Sequence, residues 1–310
     1  GIYGLTQAIL QIPFGWLSDR IGRKPVIIFG LLLFALGSVI AAMADSMNGI
    51  ILGRTLQGSG AIASTVMALV ADLTREEQRT KAMALVGISI GLSFAVAMVL
   101  GPVVAAVGGL AGVFWFTAVL AAVGIGIVIL LVPTPHSATG DHQEEGARLG
   151  FIGRGLVDEG LVRLNFGVFV LHFILVACFL VLPGVLEQTF GVGREQHWMV
   201  YLPVLLLSVV GMVPLMILAE RGKRPRQMFL LGIALIFAAI GVLGFTATNL
   251  LFYGGPWLFF VGFHYPEATL PSLVSKTVFA GRKGTALVVY SSCQFLVAFP
   301  DCSVGAWLLF

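Results

Sequence analysis

Long stretches of this chain carry no charge and show no alternation of polar with apolar positions. Residues 82–140 run for 59 positions without Asp, Glu, Lys or Arg, and residues 227–266 for another 40. One helix crossing a bilayer needs about 20 apolar residues, so each run holds two spans. Membrane strands would alternate in polarity over stretches of about 10 residues, whereas these runs are apolar on every face. The pattern predicts an all-α, polytopic integral membrane protein. Bounded by charges and turn residues, its apolar segments fall at 1–17, 26–44, 49–71, 82–106, 111–132, 164–183, 198–219, 227–247, 250–274 and 284–310, ten in all.

The basic residues orient these segments, because Lys and Arg in short loops stay on the cytoplasmic side. Sixteen of the eighteen follow odd-numbered segments, beginning with Arg20, Arg23 and Lys24 after the first and Arg75, Arg79 and Lys81 after the third. Arg194 lies in an opposite loop, and Arg54 lies within a span. The longest connection, 133–163, mixes Pro, His, Gly and acids, and it reads as a cytoplasmic linker between an N-terminal half, 1–132, and a C-terminal half, 164–310.

Composition narrows the function. Hydrophobic residues make up 58% of the 310 positions and charged ones 11%, against roughly 25% in soluble domains, which excludes a soluble globular protein. A net charge of +3 is too small to argue for nucleic acid. Cys178, Cys293 and Cys302 show no metal-ligand spacing, so neither a metal nor a cofactor is expected. No phosphate-cradling loop appears, and residues 1–17 lack the basic flank and cleavage site of a signal peptide.

An internal echo sets the repeat unit. Leu17-Ser18-Asp19-Arg20-Ile21-Gly22-Arg23-Lys24-Pro25 recurs as Leu218-Ala219-Glu220-Arg221-Gly222-Lys223-Arg224-Pro225, one residue shorter. Lys81 with Ala84-Leu85-Val86 recurs as Lys283 with Ala286-Leu287-Val288. These echoes relate segment one to seven and four to ten, a unit of six helices. Two such units make twelve, so one helix is expected upstream of Gly1 and one beyond Phe310.

Gly15-Trp16-Leu17-Ser18-Asp19-Arg20-Ile21-Gly22-Arg23-Lys24-Pro25 resembles the signature loop after the second helix of the major facilitator superfamily. Numbered in that way, the ten spans are helices two to eleven. Arg54-Thr55-Leu56-Gln57-Gly58-Ser59-Gly60-Ala61 resembles the fourth-helix motif of that family, and Gly101-Pro102 part of its antiporter signature, with Ala97, Ala105 and Ala106 where the family has Gly or other residues. Phe166, Pro271 to Lys276 and Tyr290 to Phe295 are similar to YajR-type bacterial inner-membrane transporters. The resemblance implies transport of a small molecule coupled to protons in the inner (plasma) membrane, by a chain acting as a monomer.

Candidate residues follow. Asp19 reads either as an exposed loop acid or as a carboxylate facing a helix N-terminus, where a negative charge gains roughly 0.3–1 kcal/mol. The resemblance places that N-terminus on the segment opening near Gly284, making a latch between halves in which Gly15, Asp19, Arg20, Gly22, Arg23, Lys24 and Asp72 take part. Arg23 is expected to pair with Asp72, and Gly15 and Gly22 to let helix and loop approach closely. Arg54 either snorkels to the external side or faces a wet cavity. The resemblance assigns it to proton coupling, by tuning a nearby acid. Glu267, between Pro266 and Pro271, is a candidate proton carrier or cavity group, with His172 and His264 as companions or as satisfied interior histidines. Gly101 with Ala97 and Ala105 is expected to allow tight helix contact, with Pro102 adding a kink.

The leading expectation is proton-coupled efflux of amphipathic or drug-like compounds, not catalysis. A sugar or metabolite symporter or facilitator of the same fold remains open, as does a truncated chain that does not transport. An intramembrane hydrolase using Ser59 with His172 or His264 is the remote reading, since Gly58-Ser59-Gly60 is too short for a nucleophile elbow.

Overall fold

The computed structural model describes residues 1–134, 158–193, 196–245, 249–277 and 283–297. The order is α1 (Ile2–Ile21), α2 (Arg23–Ala42), α3 (Met47–Ser59), α4 (Ala63–Asp72), and the stretch Glu76–Leu130, which Gly109 divides into α5 (76–108) and α6 (110–130). Then come α7 (Glu159–Phe190), α8 (His197–Arg221), α9 (Pro225–Phe245), α10 (Asn249–Thr277) and α11 (Lys283–Leu296).

Local chemistry sets the ends. Ser46 accepts the Gly49 N–H at 3.2 Å to begin α3, and Asp158 accepts the Leu161 N–H at 3.0 Å to begin α7. Gly109, at φ 61° and ψ −159°, separates the fourth and fifth predicted segments without an intervening loop. The third segment is not the single span expected over 49–71. It breaks between Ser59 and Ala63, where the α2 backbone presses in: a β-carbon on Gly60 would lie 2.3 Å from the Gly30 carbonyl oxygen.

Five stretches among the described residues are long and apolar enough to cross a membrane: Arg23–Ala42, Leu92–Leu130, Glu159–Phe190, His197–Ala219 and Pro225–Val242. Large apolar side chains face outward along these helices, with Val107 at 89%, Leu130 at 81% and Phe237 at 69% exposure. In water such a surface would associate; in lipid it is the favourable outer face. The chain is an all-α, multi-pass membrane protein.

Packing divides the chain into two compact units. The first comprises Gly1–Leu92, Val104–Ala177 and Leu273–Phe310; the second comprises Ser93–Val103 and Cys178–Ser272. In the first, α2 lies against α3, while α1 packs along α3, α4 and α11. In the second, Leu186, Val200 and Tyr201 form one buried cluster, and Leu215, Ala219, Val261 and Tyr265 another.

Candidate functional site

The joint between α1 and α2 is built on Gly22, whose φ of 97° and ψ of 153° belong to a region that L side chains scarcely enter. This single residue ends one helix and begins the next, so that Asp19 and Arg23 come together as an ion pair. Arg23 also reaches Asp72 at the end of α4, Nε to Oδ2 3.0 Å, and donates from Nη1 to Ser18 Oγ at 2.6 Å. Ser18 in turn donates to the Gly15 carbonyl at 2.7 Å and is 1% exposed. One guanidinium thus ties α1, α2 and α4. The Asp19 and Arg23 side chains are 23% and 17% exposed, so the pair lies at the surface with its charged ends partly covered.

The other loop residues have separate tasks. Arg20 lies over the Trp16 ring, 3.9 Å from its centroid. Lys24 donates to the carbonyls of Ile129 and Val132 at 3.0 and 2.9 Å, and so caps the end of α6. Among the described residues, the nearest atom to a β-carbon built on Gly15 is Ser64 Oγ at 3.5 Å, ordinary contact distance.

Arg54, half-buried on α3, opens a chain of polar groups. Its Nη1 donates to Gln57 Oε1 at 2.7 Å, Gln57 Nε2 to Ser38 Oγ at 2.7 Å, and Ser38 to the Phe34 carbonyl at 2.8 Å. Thr117 of α6 joins at 3.3 Å. The Tyr3 ring lies under the guanidinium, with 4.5 Å to its centroid. A β-carbon on Gly58 would meet Thr6 Oγ1 at 1.9 Å and the Tyr3 carbonyl at 2.4 Å, so only glycine lets α3 bring Arg54 this close to α1. Below Tyr3 the same face of α1 carries Gln7 and Gln11, 6% and 0% exposed.

Sequence reasoning did not single out Gln57, Ser38, Tyr3, Gln7 or Gln11. For Gln57 a signal existed, since it stands three residues after Arg54 on one helical face. For Gln7 and Gln11 the four-residue spacing with Tyr3 on an apolar helix was the clue.

The remaining candidates belong to both units. In the first unit, His172 of α7 places Nδ1 3.1 Å from the Val168 carbonyl and Nε2 2.8 Å from Gln294 Nε2 of α11. A proton on Nδ1 satisfies both contacts, with the amide donating to Nε2. In the second unit, His264 donates to the Phe260 carbonyl at 2.6 Å and meets the rings of Phe260 and Phe263 edge-on. Glu267 lies one turn further on, half-buried beside the fully buried Pro266. Among the described residues nothing lies within 4 Å of a β-carbon built on Gly101, and Ala97 and Ala105 are exposed. Pro102 lies inside α5.

The family model described as Major Facilitator Superfamily matches residues 1–300. The chain is 50% identical over 309 residues to the inner membrane transport protein YajR of Escherichia coli (strain K12), covering 99% of this chain and 68% of that one. An uncharacterized transporter of Buchnera aphidicola subsp. Acyrthosiphon pisum (strain APS) is 35% identical over 302 residues, covering 96% and 77%. Among solved structures, a bacterial homologue of the human lysosomal transporter Spinster, inward-facing and occupied, aligns with a TM-score of 0.74 at 15% identity, over 96% of this chain and 71% of that one. That last likeness concerns the fold alone.

Proposed function

The chain belongs to the major facilitator superfamily of membrane transporters, and from that premise we propose that it exports small amphipathic or drug-like compounds in exchange for protons, by alternating access. Its place in this reading is the inner (plasma) membrane, as a single chain, with the basic loops on the cytoplasmic side. The observation that carries the proposal is Arg54: a half-buried guanidinium on the short helix α3, in a segment with no other charge, bonded through Gln57 to Ser38 and stacked on Tyr3. A charge in that position is costly and is kept where it does work along a substrate or ion path. Arginine does not release protons under cellular conditions, so its part is to hold fixed positive charge. Glu267 is the proposed proton carrier, with His172 and His264 as further titratable groups.

The test uses everted membrane vesicles carrying the chain. An amphipathic fluorescent cation should accumulate only when a proton gradient is imposed. Glu267→Gln should remove that dependence while leaving gradient-free exchange of preloaded compound. Accumulation by Glu267→Gln that still follows the gradient overturns the assignment of the carrier. A second reading, uptake of a sugar or metabolite, is favoured by the incomplete antiporter motif, in which Ala97, Ala105 and Ala106 flank Gly101-Pro102. Gradient-driven accumulation of such a solute in right-side-out vesicles, with none of the cation in everted ones, would select it.

A further inference from the structure

Between the first turns of α2 and the end of α6 lies an open groove of about 560 Å³ whose lining changes character along its length. At one end stand Lys24 and Thr134; further along α2 come Ile28, Phe29 and Leu32, with Ile129 of α6 opposite. Residues 28 and 32 share one face of α2 with Lys24, at the four- and eight-residue spacings of a helix, and Phe29 flanks that face. Phe29 and Leu32 are 51% and 52% exposed, on the outer face of a membrane protein where lipid is the solvent. The charged α1–α2 joint sits directly above, so the Lys24 end lies at headgroup level and the apolar end reaches toward the hydrocarbon.

The charge at the head of the groove is positive. An ammonium has three donors; Lys24 gives two to the carbonyls of Ile129 and Val132, which leaves one for an external acceptor. The same turn is the N-terminus of a 20-residue helix whose cap, Gly22, supplies no side-chain acceptor to its amides. An anion there gains from the amides and from the helix dipole. Arg23 contributes little, since Asp19, Asp72 and Ser18 engage it. We propose that this groove binds one anionic phospholipid, its phosphate on Lys24 and the start of α2, and an acyl chain along Ile28, Phe29, Leu32 and Ile129. The ligand class follows from the amphipathic lining: a free phosphate uses only the head, and a zwitterionic lipid sets its ammonium against Lys24.

Native mass spectrometry of the full chain in detergent tests this with dioleoyl phosphatidylglycerol and dioleoyl phosphatidylcholine, which share acyl chains. Phosphatidylglycerol should be retained in preference, and Lys24→Gln should lower its retention about fivefold, the weight of one basic residue at a membrane surface. Lys24→Arg should keep it, and Leu32→Trp should lower it by filling the slot with the charge unaltered. Since Lys24 also caps α6, Leu32→Trp carries the test if Lys24→Gln does not fold. Equal retention of the two lipids, retention unchanged in Leu32→Trp, or displacement by excess inorganic phosphate would each overturn the proposal. None of these outcomes depends on the direction or coupling of transport.

Discussion

At the scale of single residues, Gly22 and Gly15 stand seven positions apart in one motif and carry opposite expectations. The φ of 97° and ψ of 153° at Gly22 belong to a region costing an L residue of order 1–3 kcal/mol. Gly22→Ala should therefore lower the thermal unfolding midpoint of the purified protein and loosen the Asp19–Arg23 pair that the joint aligns. Gly15→Ala places its new methyl 3.5 Å from Ser64 Oγ and should leave the midpoint nearly unchanged. Equal shifts for the two variants would contradict the strain argument. The charges of this loop were legible in the sequence because Asp19, Arg23 and the joint between them are neighbours along the chain. The bond from Gln57 to Ser38 was not, because it joins residues 19 apart and depends on how closely α2 and α3 pack, although the place of Gln57 one turn after Arg54 was.

Among elements, the contrast lies between Gly58 and Gly101. A β-carbon on Gly58 collides with Thr6 and the Tyr3 backbone, so Gly58→Ala must push α3 away from α1. Forcing a group into such packing costs roughly 1–3 kcal/mol, and here it also lifts Arg54 off the Tyr3 ring. The expected result is a lower unfolding midpoint together with reduced transport. Gly101→Ala meets nothing within 4 Å and improves helix propensity inside α5 by about 1 kcal/mol. Its midpoint should hold or rise. Transport lost in a Gly101→Ala protein that is no less stable would show that α5 closes on a neighbour in another state of the cycle. Retained transport would leave the Gly101-Pro102 likeness without a mechanical part. Helix positions were readable from charge-free runs, and the breaks at Gly60 and Gly109 were less so. The first arises from pressure by the α2 backbone, a tertiary effect, and the second is one backbone torsion rather than a loop.

For the whole molecule, the consequential contact is that α1, from the first half of the sequence, packs along α11, from the second. Transport by alternating access requires contacts between sequence halves to part and re-form, and the likeness of the α1–α2 loop to the family's signature puts the charged end of α1 forward as a place to weaken one by a single atom change. Asp19→Asn removes one negative charge while keeping a similar shape, and Arg23 remains bound to Asp72 and Ser18. The fold should survive, with normal membrane insertion and an unaltered unfolding midpoint. If the charge holds one conformation of the cycle, its loss should cut transport about tenfold, the equivalent of ~1.4 kcal/mol. Asp19→Glu, which restores the charge, should recover part of that loss. High salt should weaken the effect of the charge, because Asp19 and Asp72 lie at the surface, where screening acts on ion pairs. Cysteines introduced near the charged end of α1 and the start of α11 should cross-link in the resting protein and lose yield during turnover. Full transport by Asp19→Asn, or an unvarying cross-link in a working transporter, would remove this end of α1 from the gate and leave it the structural role of joining α1, α2 and α4.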